Sequence, residues 1–178
     1  MMEIRRVSLA EAPAFRAVRL EALRDHPADF GSDFGEESVL PLSHFVGQLA
    51  DSHVVGAFLD GQLIGIIGLE FLRKPKERHR VFLWGVYVRP EGRGRGVAAP
   101  LLDAALAVAF TRGTQVHLGV RVGNTVAERL YLSRGFRRYG VEPNAGQIDG
   151  TPHDDALMVL LLSGRFEEPA SPTLQPSA

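Results

Sequence analysis

The sequence predicts an α/β fold: a mixed, mostly antiparallel sheet of about seven strands flanked by helices. Two observations carry this. Three runs rich in branched and aromatic residues, HVVGAFL, QLIGIIGLEFL and VFLWGVYV, follow one another in mid-chain with turn residues between them. After them come a loop of glycine and arginine, an apolar helical run and a further strand, TQVHLGVRV. Strand, helix and strand in that order form a parallel pair joined by a right-handed crossover.

The bulk numbers suit this reading. The chain has 178 residues, 45% of them hydrophobic and 23% charged, enough for one sizeable core. One domain is expected over residues 1–164, with a tail at 165–178 rich in proline and small polar residues that is expected to be disordered. The formal net charge of -1 provides no global field for nucleic acid or an anionic membrane. No cysteine is present, which excludes a disulfide framework, a thiolate metal site and a cysteine nucleophile. No apolar run reaches the roughly 20 residues of a membrane span. The N-terminal MMEIRRVSL has no apolar signal core, so a cytoplasmic protein is expected.

The elements follow in order. EIRRVS forms a short strand. A helix then starts between Ser8 and Pro13, with Ser8 and Glu11 at capping-box spacing and Phe15, Val18, Ala22 and Leu23 on its inner side. HPADFGSDFGEES reads as a loop, and LSHFVGQLA as a shorter helix that buries Phe45, Val46 and Leu49. Asp60-Gly61 joins the next two strands as a hairpin. RKPKERHR is a solvated basic turn. VFLWGVYV is apolar at nearly every position, so it is expected to be central and buried on both faces. A helix runs from about Gly96 to Phe110, with Pro100 in its first turn. NTVAERLYLSRGF is a helix capped by Asn124 and left at Gly135. RRYGVE and DALMVLLL close the sheet.

The loop between strand and helix, VRPEGRGRGVA, carries the functional signal. The first N–H groups of a helix have no intrahelical partner, and the helix dipole favours an anion there. Glycine lets the backbone approach a ligand, and Arg93 and Arg95 add positive charge. A phosphate is therefore expected at this helix mouth. The Gly-Lys-Ser/Thr ending of a mononucleotide loop is absent. Gly94 to Ala99 spells G-x-G-x-x-A, but the acid that would hold a dinucleotide ribose does not follow.

Arg93 to Ala98 also fits R-x-x-G-x-A, and the whole segment resembles the pyrophosphate-binding motif of the GNAT superfamily of acyl-CoA-dependent N-acyltransferases. Asn124, Ala127, Tyr131, Gly135 and Phe136 fit a second pattern of that superfamily, N-x-x-A-x-x-x-Y-x-x-x-G-F. The resemblance covers roughly residues 3–163. It implies acetyl-CoA as co-substrate, no metal, and transfer of the acetyl group to a primary amine of a small molecule or peptide by direct attack. It also implies a splayed parallel strand pair and, at the family level, a homodimer. A non-catalytic acyl-CoA sensor is the alternative.

The resemblance also assigns roles. The backbone of Arg93, Gly94, Arg95, Gly96, Val97 and Ala98 would cradle the pyrophosphate. Val86 and Val88 would offer main-chain hydrogen bonds to the pantetheine arm, and Asn124 would touch that arm. Tyr131 would be the acid that protonates the leaving thiolate, since a phenol keeps its proton at neutral pH. No residue is singled out as the base: VFLWGVYV has no carboxylate, and Glu70, Glu36, Glu37, His79 and His117 stay open. The acidic loop around Asp29, Asp33, Glu36 and Glu37 suits a cationic acceptor, or is simply solvated.

Overall fold

The computed structural model describes residues 1–162; the tail expected to be disordered lies outside them. The strands are β1 (Met2–Arg6), β2 (His53–Leu59), β3 (Gln62–Phe71), β4 (Arg80–Val88), β5 (Gln115–Arg121), β6 (Arg137–Ile148) and β7 (Thr151–Leu161). The helices are α1 (Ala12–Asp25), α2 (Phe34–Ser38), α3 (Leu42–Asp51), α4 (Ala98–Ala109) and α5 (Thr125–Leu132). Among the described residues the strands form one seven-stranded sheet in the order β1-β2-β3-β4-β5-β7-β6. Every pairing is antiparallel except β4 with β5, as the sequence predicts.

Helices cover both faces of the sheet. On one face α1 and α3 bury Phe15, Val18, Phe45 and Leu49 against Val54, Phe58 and Ile66. On the other, α4 packs Leu101, Leu102, Ala105 and Ala109 against Ile64, Ile67 and Val116, and Tyr131 of α5 joins that cluster. This two-sided cover explains why β3 is buried from Leu63 to Leu69. At the start of α1, Glu11 Oε2 accepts from the Ser8 N–H at 2.8 Å, and Arg5 holds the same carboxylate at 2.7 Å. That hydrogen bond pulls the Glu11 pKa down to about 2, against the opposing effect of its partial burial.

Both two-residue hairpins are Asp-Gly turns with positive φ at each position: 48° and 83° at Asp60-Gly61, 49° and 76° at Asp149-Gly150. The first was predicted and the second was missed. β6 and β7 are accordingly longer than RRYGVE and DALMVLLL suggest. The loop 26–38 also differs from expectation, since it holds the short helix α2, capped by Asp33 Oδ1 accepting from the Glu36 N–H at 3.0 Å.

β4 and β5 pair only from Arg80–Gln115 to Phe82–His117 and then diverge. Past that point each strand keeps its outer partner, β3 for β4 and β7 for β5. A bulge marks the divergence: the register against β3 shifts so that Gly85 and Val86 together oppose Ile67. Gly85 has φ of 63°, which a residue with a Cβ adopts only under strain. β4 is central but not buried on both faces. Val81, Leu83 and Tyr87 are buried, whereas Phe82, Trp84, Val86 and Val88 are half-exposed because the divergence opens one edge. His117 closes the base of the opening, stacked on Phe82 with centroids 5.4 Å apart and edge-on to Tyr139. Burial, then the charges of Arg80 and His79, lower its pKa to about 4.

Two predictions arise here. A Cβ on Gly68 would lie 2.1 Å from the indole of Trp84. Gly68→Ala should therefore displace this ring and cost about 1–3 kcal/mol. Urea unfolding and the emission of Trp84, the single tryptophan, read both effects, and unchanged values of both would refute the contact. The second concerns acid. His117 has a folded pKa below the ordinary 6.5 of an imidazole, so the unfolded chain binds more protons and stability is lost as pH falls from about 6.5 towards 4. Glu11 adds a second loss between 4.5 and about 2. His117→Phe should flatten the upper limb of a stability–pH curve and Glu11→Gln the lower.

Candidate active site

The diverging strands border a cavity of about 570 Å³. Its lining comes from both faces. Ala98, Ala127, Leu130 and Tyr131 belong to the side of α4 and α5, whereas His26, Phe30, Trp84 and Tyr87 belong to the side of α1. A space lined from both faces suits a reaction between two molecules that meet at their reactive ends. Its size is that of a small-molecule site.

The glycine-arginine loop stands at one edge. Gly94 and Gly96 both have φ of 71°. Neither would bring a Cβ within 4 Å of a neighbour, so glycine serves conformation here, not space. The N–H groups of Gly94, Gly96, Val97, Ala98 and Ala99 donate to nothing among the described residues. Pro100, inside the first turn of α4, has no N–H to leave over. Five free donors over a helix N-terminus fit an anion such as a pyrophosphate. Arg95 is exposed. Arg93 is not simply extended toward an anion: its Nε donates to the Val88 carbonyl at 3.0 Å, its Nη2 to His26 Nε2 at 2.9 Å, and its guanidinium lies 5.6 Å from the Tyr87 ring centroid.

Val88 presents its main chain to the opening. Arg89 N–H bonds the Ile64 carbonyl at 2.8 Å, and antiparallel ladders alternate, so the polar groups of Val88 point away from β3. The carbonyl is the one taken by Arg93; the N–H is left. Val86 sits in the bulge beside it.

Asn124 caps α5. Its Oδ1 accepts from the Ala127 N–H at 3.1 Å, and its Nδ2 donates to Asp29 Oδ1 at 3.1 Å. Tyr131 is 5% exposed and lines the cavity. Its ring stands edge-on to Phe136 at 5.7 Å. Its hydroxyl bonds to no described residue, yet it is not among the fully buried polar atoms that lack a partner, so it is reachable from the cavity. Burial, and then the charge of Asp29, raise its pKa well above that of an ordinary phenol. The proton stays on at any physiological pH.

The candidate bases of the sequence do not come together here. Glu37 is buried in a pair with Arg19, at 3.0 and 2.7 Å. Glu36 is exposed on α2, and Glu70 lies at the far end of β3 beside Asp51 and Arg73. His79 is in the turn before β4, and His117 is closed into its aromatic stack. Of the acidic loop, only Asp29 reaches the cavity and is the single carboxylate of its lining.

What the sequence missed is a strap across the cavity mouth, formed by residues 26–30. His26 reaches the loop after β4 through Arg93, the Ala28 carbonyl accepts from Arg121 Nε of β5 at 2.6 Å, and Asp29 meets Asn124. Asp29 Oδ2 also lies 3.7 Å from His26 Nδ1. Nearby, Tyr87 Oη donates to Glu21 Oε1 at 3.1 Å, and Glu21 Oε2 is 2.8 Å from Arg89. Burial, then this bond to Glu21, raises the Tyr87 pKa to about 12. Apart from His26 and Asp29, these partners are separated by 66 to 95 residues along the chain, and no local pattern signals them.

Among the described residues no group of three or more His, Asp or Glu is placed to hold a metal ion, and no helix is long and apolar enough to cross a membrane.

Known proteins resemble this chain in sequence and in fold. The chain is 34% identical over 146 residues to the N-alpha-acetyltransferase RimI of Mycobacterium tuberculosis, spanning 80% of this chain and 84% of that protein. It is 32% identical over 117 residues to an L-2,4-diaminobutyric acid acetyltransferase of Streptomyces avermitilis, 61% of this chain and 64% of the relative. The fold matches that of a Salmonella typhimurium protein solved with its cofactor acetyl-CoA, with a TM-score of 0.79 and 23% identity over 98% of this chain and 99% of the other. Residues 17–136 match the Acetyltransferase (GNAT) family. The chain therefore belongs to the GNAT family of acetyltransferases, enzymes that use acetyl-CoA.

Proposed function

We propose that the protein transfers the acetyl group of acetyl-CoA to a primary amine of a peptide or small amino compound, by direct attack in a ternary complex. The observation that carries this reading is the cavity lined from both faces of the sheet, with free N–H donors at one edge and a phenol inside. Acetyl-CoA supplies an acetyl group activated as a thioester. The N–H groups of Gly94, Gly96, Val97 and Ala98 would hold its pyrophosphate, with Arg93 and Arg95 adding charge. Val86 and Val88 would extend the β4 edge to the pantetheine arm as an added strand does. The Val88 N–H, still free, would polarise the thioester carbonyl. Asn124, already capping α5, would touch the arm with its remaining hydrogen-bonding capacity. Tyr131 would give its proton to the departing sulfur.

Direct attack is supported by the absence of cysteine, which leaves no thiol to carry the acetyl group. An amine acceptor is supported by Asp29, whose carboxylate faces the cavity and would attract an ammonium. The aromatic residues Phe30, Trp84 and Tyr87 on the same side would pack against the rest of the acceptor.

Three measurements check the proposal. Acetyl-CoA and CoA should raise the thermal midpoint, while NAD and ATP should not; a ligand at about 100 times its Kd stabilises by about 2.7 kcal/mol. A rise with NAD alone would mean a different phosphate ligand. Tyr131→Phe should lower kcat by about 10²-fold or more with acetyl-CoA affinity nearly intact. Unchanged turnover removes the acid role. Gly96→Ala, strained at positive φ, should weaken acetyl-CoA binding measured by calorimetry.

A further inference from the structure

Two of the residues assigned to the cofactor, Arg93 and Asn124, touch one pair on the opposite face of the sheet, His26 and Asp29. We propose that His26 is the base that takes the proton of the acceptor amine, and that its Nε2 is released for this by the movement of Arg93 to the cofactor. The inference rests on the acetyl-transfer reading above.

The geometry is specific. An arginine only donates, so the 2.9 Å contact makes His26 Nε2 the acceptor and puts the ring proton on Nδ1, towards Asp29 Oδ2 at 3.7 Å. Asp29 is in turn fixed by Asn124 Nδ2. The ring is thus oriented at one nitrogen and basic at the other, the arrangement that general-base catalysis requires. His26 lines the same cavity as Tyr131, with its centroid 5.8 Å from that of Tyr87. The carboxylates near it are otherwise engaged, Glu21 by Tyr87 and Arg89 and Glu37 by Arg19.

Among the described residues, Arg93 is what stops His26 acting as a base, because it occupies the lone pair. Arg93 is also the first residue of the phosphate loop. A guanidinium bonds an anionic phosphate more strongly than a neutral imidazole. Cofactor binding would therefore draw Arg93 away and expose Nε2. The charged groups around the ring would then change in balance: Arg93 opposes an imidazolium, whereas Asp25 at the end of α1 and Asp29 in the strap favour it. Tyr87 of β4 stays neutral.

The protons balance. The acceptor ammonium gives one proton to His26 Nε2. Its nitrogen bonds the acetyl carbon, the carbon–sulfur bond breaks, and the sulfur takes the proton of Tyr131. The second proton leaves the nitrogen through water to Tyr131. His26 returns its proton to solvent.

The test uses the full chain with ¹⁵N-labelled histidine, the His26 ring signals being assigned by loss in His26→Gln. Adding saturating CoA should shift the Nε2 signal; Arg93→Met should do the same without CoA. In kinetics with an alanine-initiated hexapeptide and 2,4-diaminobutyrate as probe amines, His26→Gln and His26→Asn should each lower kcat about 10²-fold. Both should lose the acidic limb of the kcat–pH profile, while acetyl-CoA affinity stays within a few-fold. Tyr131→Phe should lower kcat but keep that limb. A retained limb in both His26 variants overturns the proposal, and so does a Nε2 signal that CoA leaves unmoved. If the wild type acetylates neither probe, the acetyl-transfer reading fails for those amines on its own account, and the Nε2 response alone decides the proposal for His26.

Discussion

The structure depends on one interruption: the parallel ladder between β4 and β5 stops after three residue pairs. A ladder that ran on would fill the sheet with its own hydrogen bonds and leave no route between its faces. Because each strand keeps its outer neighbour, the break costs only the inner hydrogen bonds. Those unmatched groups become the polar edge that an extended ligand can use. The bulge at Gly85 and Val86 supplies the turn in β4, and Phe82 with His117 fixes where the opening starts. A neutral, stacked imidazole can serve as that wedge; a charged one, buried there, would have to find a partner that its orphaned Nδ1 lacks.

The opening needs support from outside the sheet, and the chain provides it with the strap of residues 26–30. Its bonds run to Arg93 on the β4 side and to Arg121 and Asn124 on the β5 side. The strap thus bridges two strands that no longer bridge each other. Below it, Arg19 and Glu37 form an ion pair with exposures of 5% and 7%, a burial tolerable only because two direct bonds and Ser32 satisfy the charges. Trp84, over Gly68, and Phe30 flank that guanidinium.

Local chemistry in the sequence made much of this legible. An Asp-Gly turn between apolar runs, a capping asparagine, a proline in a first turn and glycines at positive φ each act within a few residues, and all appear where the sequence places them. The same turn dipeptide at Asp149-Gly150 went unread because its flanking strand carries no apolar alternation. β6 is an edge strand, exposed along most of its length and holding Pro143, so burial imposes no period on it. β4 misled in the opposite way. Its apolar run is that of a strand buried on both faces, but part of that surface lines the cavity. The strap was the least legible of all, since Arg93, which holds His26, lies 67 residues further along the chain.

This division has a physical reason. Phosphate recognition uses backbone N–H groups, which require particular residues at fixed spacing and so leave a motif. Proton transfer requires only that a lone pair be at the right place, and any element that crosses the cavity can provide it. In this chain the crossing element is an unremarkable loop, His-Pro-Ala-Asp-Phe, whose meaning depends on β4 and β5 having parted beneath it. The two functions then meet in a single side chain. Arg93 belongs to the phosphate loop by sequence and to the proton-transfer side by contact, because its guanidinium bonds the carbonyl of β4 and the imidazole of the strap together. A residue with both attachments cannot answer to one without altering the other.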